Sequence, residues 1–305
     1  SVGLADPGEL SEVRDAAGLD LEDDATAPTS ATLQELALAA EAAALAVPGV
    51  SQVQAAGAGH GRRSAFLAAT NGFAGGYGRT STSISCVAIT GEGLAMERDY
   101  FGESRTHAAD LPSAEEIGRI AGERTVARAG VRKPPTGAYP VIFDERISSG
   151  LIGHLLAAVD GQAIARGSSW LRDALGKQVL PKGMTLTENP HRPRVSGSRP
   201  FDAEGLRTRP REIVSDGVLT GWTLDLATAR KLGLKSTANA ARGTGGPPSP
   251  SISNVTLSQG ETDLAGLMAQ AGTGLLVTSL IGASINPTTG DYSRGASGVW
   301  FENGQ

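Results

Sequence analysis

The stretch YPVIFDERISSGLIGHLLAAVDGQAIARGSSWLRDALGKQV, Tyr139–Val179, decides how the rest of the chain is read. It opens on an apolar, β-prone run, Tyr139 to Phe143, and Asp144 to Ser149 then supply polar residues that start a helix. Leu151, Ile152, Leu155, Leu156 and Val159 repeat with helical spacing, and His154, one of four histidines, sits among them. The functional question is whether that imidazole can be a metal ligand.

A catalytic zinc needs three or four His, Cys or carboxylate ligands converging on one point. On a helix this is met by two histidines one turn apart with a glutamate beside them. His154 has no such neighbour: position 150 is Gly, 151 is Leu, and 157 and 158 are Ala. His60, His107 and His191 lie far away in expected loops, so His154 reads as a structural or supporting residue, with a site of scattered ligands as the alternative.

At 305 residues the chain suggests two domains. Its 40% apolar and 19% charged residues describe a folded protein, and 41 glycines favour many turns and a β-rich build. A net charge of −5 argues against a general nucleic-acid or anionic-membrane binder. The lone Cys86 excludes an intrachain disulfide and points to a reducing compartment. No apolar run reaches the ~18 residues of a membrane span. The opening residues lack the charge and apolar pattern of a secretion signal, so cytoplasm is the default. Both ends are expected to be truncated, since Asn303-Gly304 signals a hairpin with no return strand.

Residues 1–29 are acidic and read as a lead-in. A helix follows, capped by Ser30 or Thr32 and ended by Pro48-Gly49. Period-two patterning then gives VSQVQAA and RSAFLAAT as separate strands, STSISCVAIT (81–90) as a third, and LAMERDYF as its return. Cys86 falls inside the third strand as a small buried thiol. Ser113 to Glu116 form a capping box for a helix ending at Gly130, and 131–138 form a proline-stiffened linker between domains 30–132 and 136–305.

In the second half, MTLTE (184–188), ISNVTLS and GLLVTSLIG read as strands, with helices at Leu224–Leu232 and Glu261–Ala271. Asp216-Gly217 marks a type I′ hairpin, while 242–250 reads as a mobile loop. No G-x-S-x-G elbow or phosphate loop occurs, and Gly57-Ala-Gly59-His-Gly61 is only a weak echo of a dinucleotide motif. Six arginines at 192–211 read as a solvated, partly paired loop face. Asp291 to Gly295 could present backbone donors and a guanidinium to a peptide, or form a glycine-bent corner with an Asp–Arg pair.

Six segments together resemble the TldD/PmbA family, on its PmbA (TldE) branch. They are Met96 to Tyr100, Gly150 to His154, Leu175 to Gln178, Pro200 to Gly205, Ala229 to Ser236, and Gly290 to Gly295 running on to Trp300. The family name includes "modulator of DNA gyrase", which nothing in the acidic composition supports. The resemblance implies a two-subunit peptidase whose TldD-type chain carries His-Glu-x-x-x-His on the helix quoted above. Here the first His is kept as His154, while Leu155 and Val159 stand at the Glu and second His positions. It therefore implies no metal and no catalytic residue in this chain, zinc in a TldD-type partner, and either that partner or a second copy as dimer mate. His154, Tyr292 and Arg294 are the candidates to face a peptide channel. The implied fold is α+β, a middle α/β domain followed by a large coiled, barrel-like β domain with a few helices. An independent metallohydrolase or a peptide-binding scaffold is the alternative.

Overall fold

A long hairpin dominates the first half of the computed structural model, which describes residues 3–282 and 285–305. Helix α1, Ser30–Leu45, is capped by Thr29, one residue before the expected cap, whose hydroxyl accepts from the Thr32 amide at 3.1 Å. Strands β1, Val50–Ala68, and β2, Ala74–Thr90, pair antiparallel along their whole length, with β3, Glu97–Arg105, on the far side of β2. Helix α2, Ala114–Val126, starts at Ser113, whose hydroxyl accepts from the Glu116 amide.

The two strands expected from VSQVQAA and RSAFLAAT are one. Gly57, Gly59 and Gly61 stand opposite Ser85, Ser83 and Ser81, so residues that mimic a loop remain in register. His60 is accordingly a strand residue bonded to the Thr82 hydroxyl at 2.9 Å, not a loop residue.

Alanines and glycines set how closely α1 and α2 approach over this sheet. Ala40, Ala44, Ile117 and Ala121 are fully buried against Ile84, Cys86 and Ala88. A Cβ at Gly118 would overlap the Ala40 carbonyl, so only glycine allows the contact. Burial pushes the Cys86 thiol pKa up, so it is a packing residue.

Residues 3–29 run as a strap against both halves of the chain. The Ser11 amide bonds Gly205, the Gly76 amide bonds the Arg14 carbonyl, and Thr80 and Arg194 amides bond Leu21 and Leu19 carbonyls at 2.8–3.0 Å. Leu19 and Leu21 are buried, and Arg194 also pairs with Asp20 at 2.6 Å. The strap thus fastens the hairpin to the second half of the chain.

That second half begins with β4, Val141–Phe143, helix α3, Glu145–Ala158, and helix α4, Gly161–Arg166. Strands β5, Leu186–Glu188, β6, Arg211–Ser215, and β7, Val218–Leu219, follow, then helix α5, Leu226–Leu232. Asp216 (φ 47°) and Gly217 (φ 82°) turn β6 into β7 through the two left-handed residues of a type I′ hairpin. Of the 242–250 stretch read as a loop, 242–248 is the connection between β8, Ala240–Ala241, and β9, Ser249–Pro250, which pair in a two-stranded ladder. Strand β10, Val255–Leu257, helix α6, Leu264–Ala271, and strands β11, Gly274–Ile281, and β12, Gly295–Phe301, complete the order.

The architecture is α+β. Sheets ordered β10-β5-β6-β7, β12-β11-β4 and β8-β9 stay separate, so among the described residues no closed barrel forms. β4 runs parallel to β11, the crossover containing most of the second half.

Glu188, 2% exposed, holds the four-stranded sheet to its surroundings. It accepts from Arg211 Nε, Asn239 Nδ2, and both the amide and hydroxyl of Ser253 at 2.7–2.8 Å. A buried carboxylate is tolerated only with such full compensation. Arg211 and Arg199, expected in a solvated face, are therefore interior clamps; Arg199 donates to Ala240 and Ser251 carbonyls.

Gly118→Ala should lower stability by about 1–3 kcal/mol in denaturant unfolding, because the α1–α2 approach must open. Gly153→Ala on α3, where an added Cβ meets nothing within 4 Å, should instead stabilise by about 0.5–1 kcal/mol.

Candidate functional site

Helix α3 is placed by its first residues. Asp144 caps it, accepting from the Arg146 amide at 3.0 Å and from Arg146 Nε at 2.8 Å. Arg146 also reaches Asp99 on β3 at 3.2 Å, so the start of α3 is clipped to the first half of the chain.

From that anchor the helix turns one face inward. Leu155 and Ala158 (each 5% exposed) and Val159 (0%) pack into a core with Leu171, Leu186, Ile213, Leu219 and Trp222. His154 lies about 100° around the helix from Leu155 and is only half-buried. Its ring meets Tyr292 edge-to-face, with centroids 5.5 Å apart and planes at 61°.

Tyr292 is presented by a tight loop. The Asn286 amide bonds the Asp291 carbonyl and the Gly290 amide bonds the Asn286 carbonyl, both at 2.8 Å, with Gly290 left-handed at φ 84°. Thr289 donates to the Asp291 carboxylate at 2.7 Å, and the Trp170 amide ties the loop to the segment after α4 through Pro287. Among the described residues Asp291 forms no ion pair with Arg294, so the Asp–Arg corner is absent. Arg294 precedes β12 with its Nε buried and without a hydrogen-bond partner among the described residues. The structure thus brings His154 and Tyr292 into contact and puts Arg294 at the end of the same loop.

The residues do not fit a catalytic zinc. Among the described residues no three His, Cys, Asp or Glu side chains are grouped to hold a metal ion. His60 is bonded to Thr82, His191 to Thr208, and His107 to the Asp20 carbonyl. The positions that would complete a His-Glu-x-x-x-His pattern are Leu155 and Val159, both inside the core.

One strongly perturbed carboxylate lies elsewhere and escaped sequence reasoning. Burial, with lesser repulsion from Asp202 and Asp225, pushes Glu204 up to about 7, while the Leu226 amide donates to it at 2.9 Å. It sits in the 202–206 loop that receives the strap at Gly205 and Leu206. Only its tertiary neighbours give it that environment.

Two family descriptions match the chain: the PmbA/TldA metallopeptidase central domain over residues 23–129 and the C-terminal domain over 136–305. Metalloprotease PmbA of Escherichia coli O157:H7 is 42% identical over 236 residues, 77% of this chain and 50% of that protein. A Bacteroides thetaiotaomicron protein solved under the name modulator of DNA gyrase superposes with a TM-score of 0.88 at 31% identity, covering 99% of this chain and 67% of that one. TldE from Thermococcus kodakarensis shares the fold, with a TM-score of 0.85 at 21% identity, over 100% of this chain and 69% of that one. The chain spans about half the length of the curated relatives it matches.

Leu155→Glu should destabilise by more than ~3 kcal/mol, since the carboxylate enters an apolar core without a partner; a thermal melt close to that of the parent would contradict the packing described. Glu204 binds its proton more tightly when folded, from 4.5 to about 7, so its stabilisation is full below pH 4.5 and lost as pH rises through about 7. Glu204→Gln should remove that loss, raising stability at pH 8 relative to the parent by about 2 kcal/mol after discounting for partial exposure, as read by urea unfolding at pH 5 to 8.

Proposed function

The chain belongs to the PmbA/TldA metallopeptidase family, and from that premise we propose that it is the metal-free, TldE-like member of a two-chain peptidase that processes or degrades peptides. The observation that carries the reading is the burial of Leu155 and Val159, 5% and 0% exposed, where a catalytic helix would turn a carboxylate base and a second imidazole outward. Zinc polarises water only when its ligand set leaves one open position, and a general base must reach that water. His154 alone offers one ligand and no base. The zinc chemistry is assigned to a TldD-type partner, with a second copy of this chain as the other candidate mate.

In this reading the chain shapes and closes a peptide channel. His154 and Tyr292 present an edge-to-face aromatic pair, and Arg294 brings a guanidinium to the same loop. Such groups orient a peptide without taking part in bond cleavage. Residues 30–132 and 136–305 are taken as the two working domains. No helix among the described residues is long and apolar enough to cross a membrane. A cytoplasmic enzyme complex with no nucleic-acid role is the consistent setting.

The test is peptidase turnover of the purified chain with and without a TldD-type chain. The expected result is background cleavage alone and chelator-sensitive turnover at least tenfold higher for the pair. His154→Ala should raise the KM of the pair several-fold with little change in kcat. Robust, chelator-sensitive cleavage by this chain alone would overturn the proposal in favour of an independent metallohydrolase. A stable pair whose turnover ignores this chain would reduce it to a scaffold.

A further inference from the structure

The strap crosses the molecule in two separately fastened pieces. Residues 3–14 lie over the 202–206 loop and α5. The Ala5 carbonyl accepts from Asn71 Nδ2 at 3.0 Å, and the Gly3 and Leu4 carbonyls accept from Arg230 at 3.1 and 2.8 Å. Leu10 bridges Leu206, the Ser11 amide bonds the Gly205 carbonyl at 2.8 Å, and the Gly76 amide bonds the Arg14 carbonyl. Ala5 is buried with Leu206, Leu226 and Ala238. Residues 19–23 make the second fastening. Leu19 and Leu21 are buried, their carbonyls accept from the Arg194 and Thr80 amides, and Asp20 pairs with Arg194 at 2.6 Å. Between the two, Asp15, Ala17 and Gly18 are exposed, and a Cβ at Gly18 would meet nothing within 4 Å.

The first fastening stands on a carboxyl placed to hold a proton. Glu204 lies in the loop that Leu10 and Ser11 grip, and its Oε2 accepts from the Leu226 amide at 2.9 Å. The preceding residue, Asp225, caps α5. Its Oδ1 accepts from the Thr228 amide at 2.7 Å and the Thr228 hydroxyl at 2.6 Å, while its Oδ2 is buried without a hydrogen-bond partner among the described residues. A buried acceptor beside a second carboxyl is satisfied when that carboxyl is protonated. Asp202 already has its donors: the Glu204 and Leu206 amides on Oδ1 and the Ala240 amide on Oδ2, at 2.9–3.1 Å. Arg230 is the neighbouring cation, directed to the strap carbonyls. The strap's own Asp6 and Glu9 are exposed, Glu9 accepting from the Asp6 amide at 3.3 Å.

The second fastening is built differently. The Arg194 guanidinium holds the Asp20 carboxyl below the usual range, and the Ala108 and Ala25 amides do the same for Asp23. His107 keeps one N–H on the Asp20 carbonyl at 3.0 Å, which a neutral imidazole donates as well as a charged one.

We propose that residues 3–14 are a proton-controlled latch: protonated Glu204 donates to Asp225 Oδ2 and keeps the 202–206 loop seated under the strap, and its ionisation frees residues 3–14 while residues 19–23 stay docked. Burial raises Glu204 from 4.5 to about 7, so the closed latch is favoured at low pH and loses its hold as pH rises through about 7. Once ionised, Glu204 faces the carboxylates of Asp202 and Asp225 and gains by turning to water, which withdraws the loop from Leu10 and Ser11. The exposed residues between the fastenings supply the hinge. Release also costs the hairpin its contacts from Asn71 and Gly76 to the strap, so the latch sets how firmly that hairpin is tied to the second half. The inference goes beyond the subunit proposal and needs nothing from α3.

The experiment is hydrogen exchange read at single amides of the full chain at pH 6 and pH 8, corrected for the intrinsic exchange rate. The Ser11 and Gly76 amides should lose about fivefold or more of their protection from pH 6 to pH 8. At pH 8 they should be about tenfold less protected than the Arg194 and Val159 amides, because the latch opens without the anchor or the core. Glu204→Gln keeps a donor for Asp225 and has no charge to gain, so its Ser11 protection should match at the two pH values. At pH 8, trypsin should cut after Arg14 about fivefold faster in the parent than in Glu204→Gln. Unchanged Ser11 protection in the parent, the same loss in Glu204→Gln, protection at Ser11 equal to that at Arg194 and Val159, or equal cleavage after Arg14 would each overturn the inference. Such a failure leaves the partner-dependent turnover untouched. Conversely, zinc-dependent cleavage by the chain alone would overturn the subunit proposal without altering these exchange rates.

Discussion

The inward face of α3 is the constraint on which the second half of the molecule depends. Leu155, Ala158 and Val159 fill the space between the helix and the β5–β6–β7 sheet, meeting Leu186, Ile213 and Leu219 from the strands and Trp222 and Leu224 from the segment leading to α5. Burying side chains of this size contributes roughly 1.5–3 kcal/mol each. A helix so committed cannot turn the same positions toward a metal ion, because the core and a hydrated cation require opposite surroundings. His154, on the adjacent face, is half-buried against Tyr292.

Polar interactions then fix what apolar packing leaves loose. Glu188 locks β5 to β6 and to the segments carrying Asn239 and Ser253, so its satisfied carboxylate specifies how four pieces of chain meet. Arg146 joins α3 to β3 through Asp99, and Arg194 joins the strap to the second half through Asp20. The halves of the chain are therefore coupled at the start of the helix that carries His154.

Local signals were legible in the sequence where a single residue type settles a conformation. The Asp216-Gly217 turn, the Ser113 cap, Gly233 after α5 and the buried thiol of Cys86 all read correctly, because each depends on neighbours a few residues away. The α+β class came instead from the resemblance to the family, since local patterning indicated only a β-rich second half. The glycines at 57, 59 and 61 misled, since their strand character comes from Ser85, Ser83 and Ser81 across the ladder. The strap and the interior role of Arg199 and Arg211 were hidden because their partners lie far along the chain. Of the site, the contact between His154 and Tyr292 was anticipated only as a shared channel face.

The family's chemistry and the side chains present in this chain thus divide along one helix. Relatives named metalloproteases share the frame, while the frame here is closed at the two positions where zinc chemistry would need polar groups. The most direct measurement is anomalous scattering at the zinc edge from crystals of the chain soaked in zinc. No peak with three protein ligands should occur at His154. A strong peak there, coordinated by His154 and two further side chains of this chain, would contradict the account.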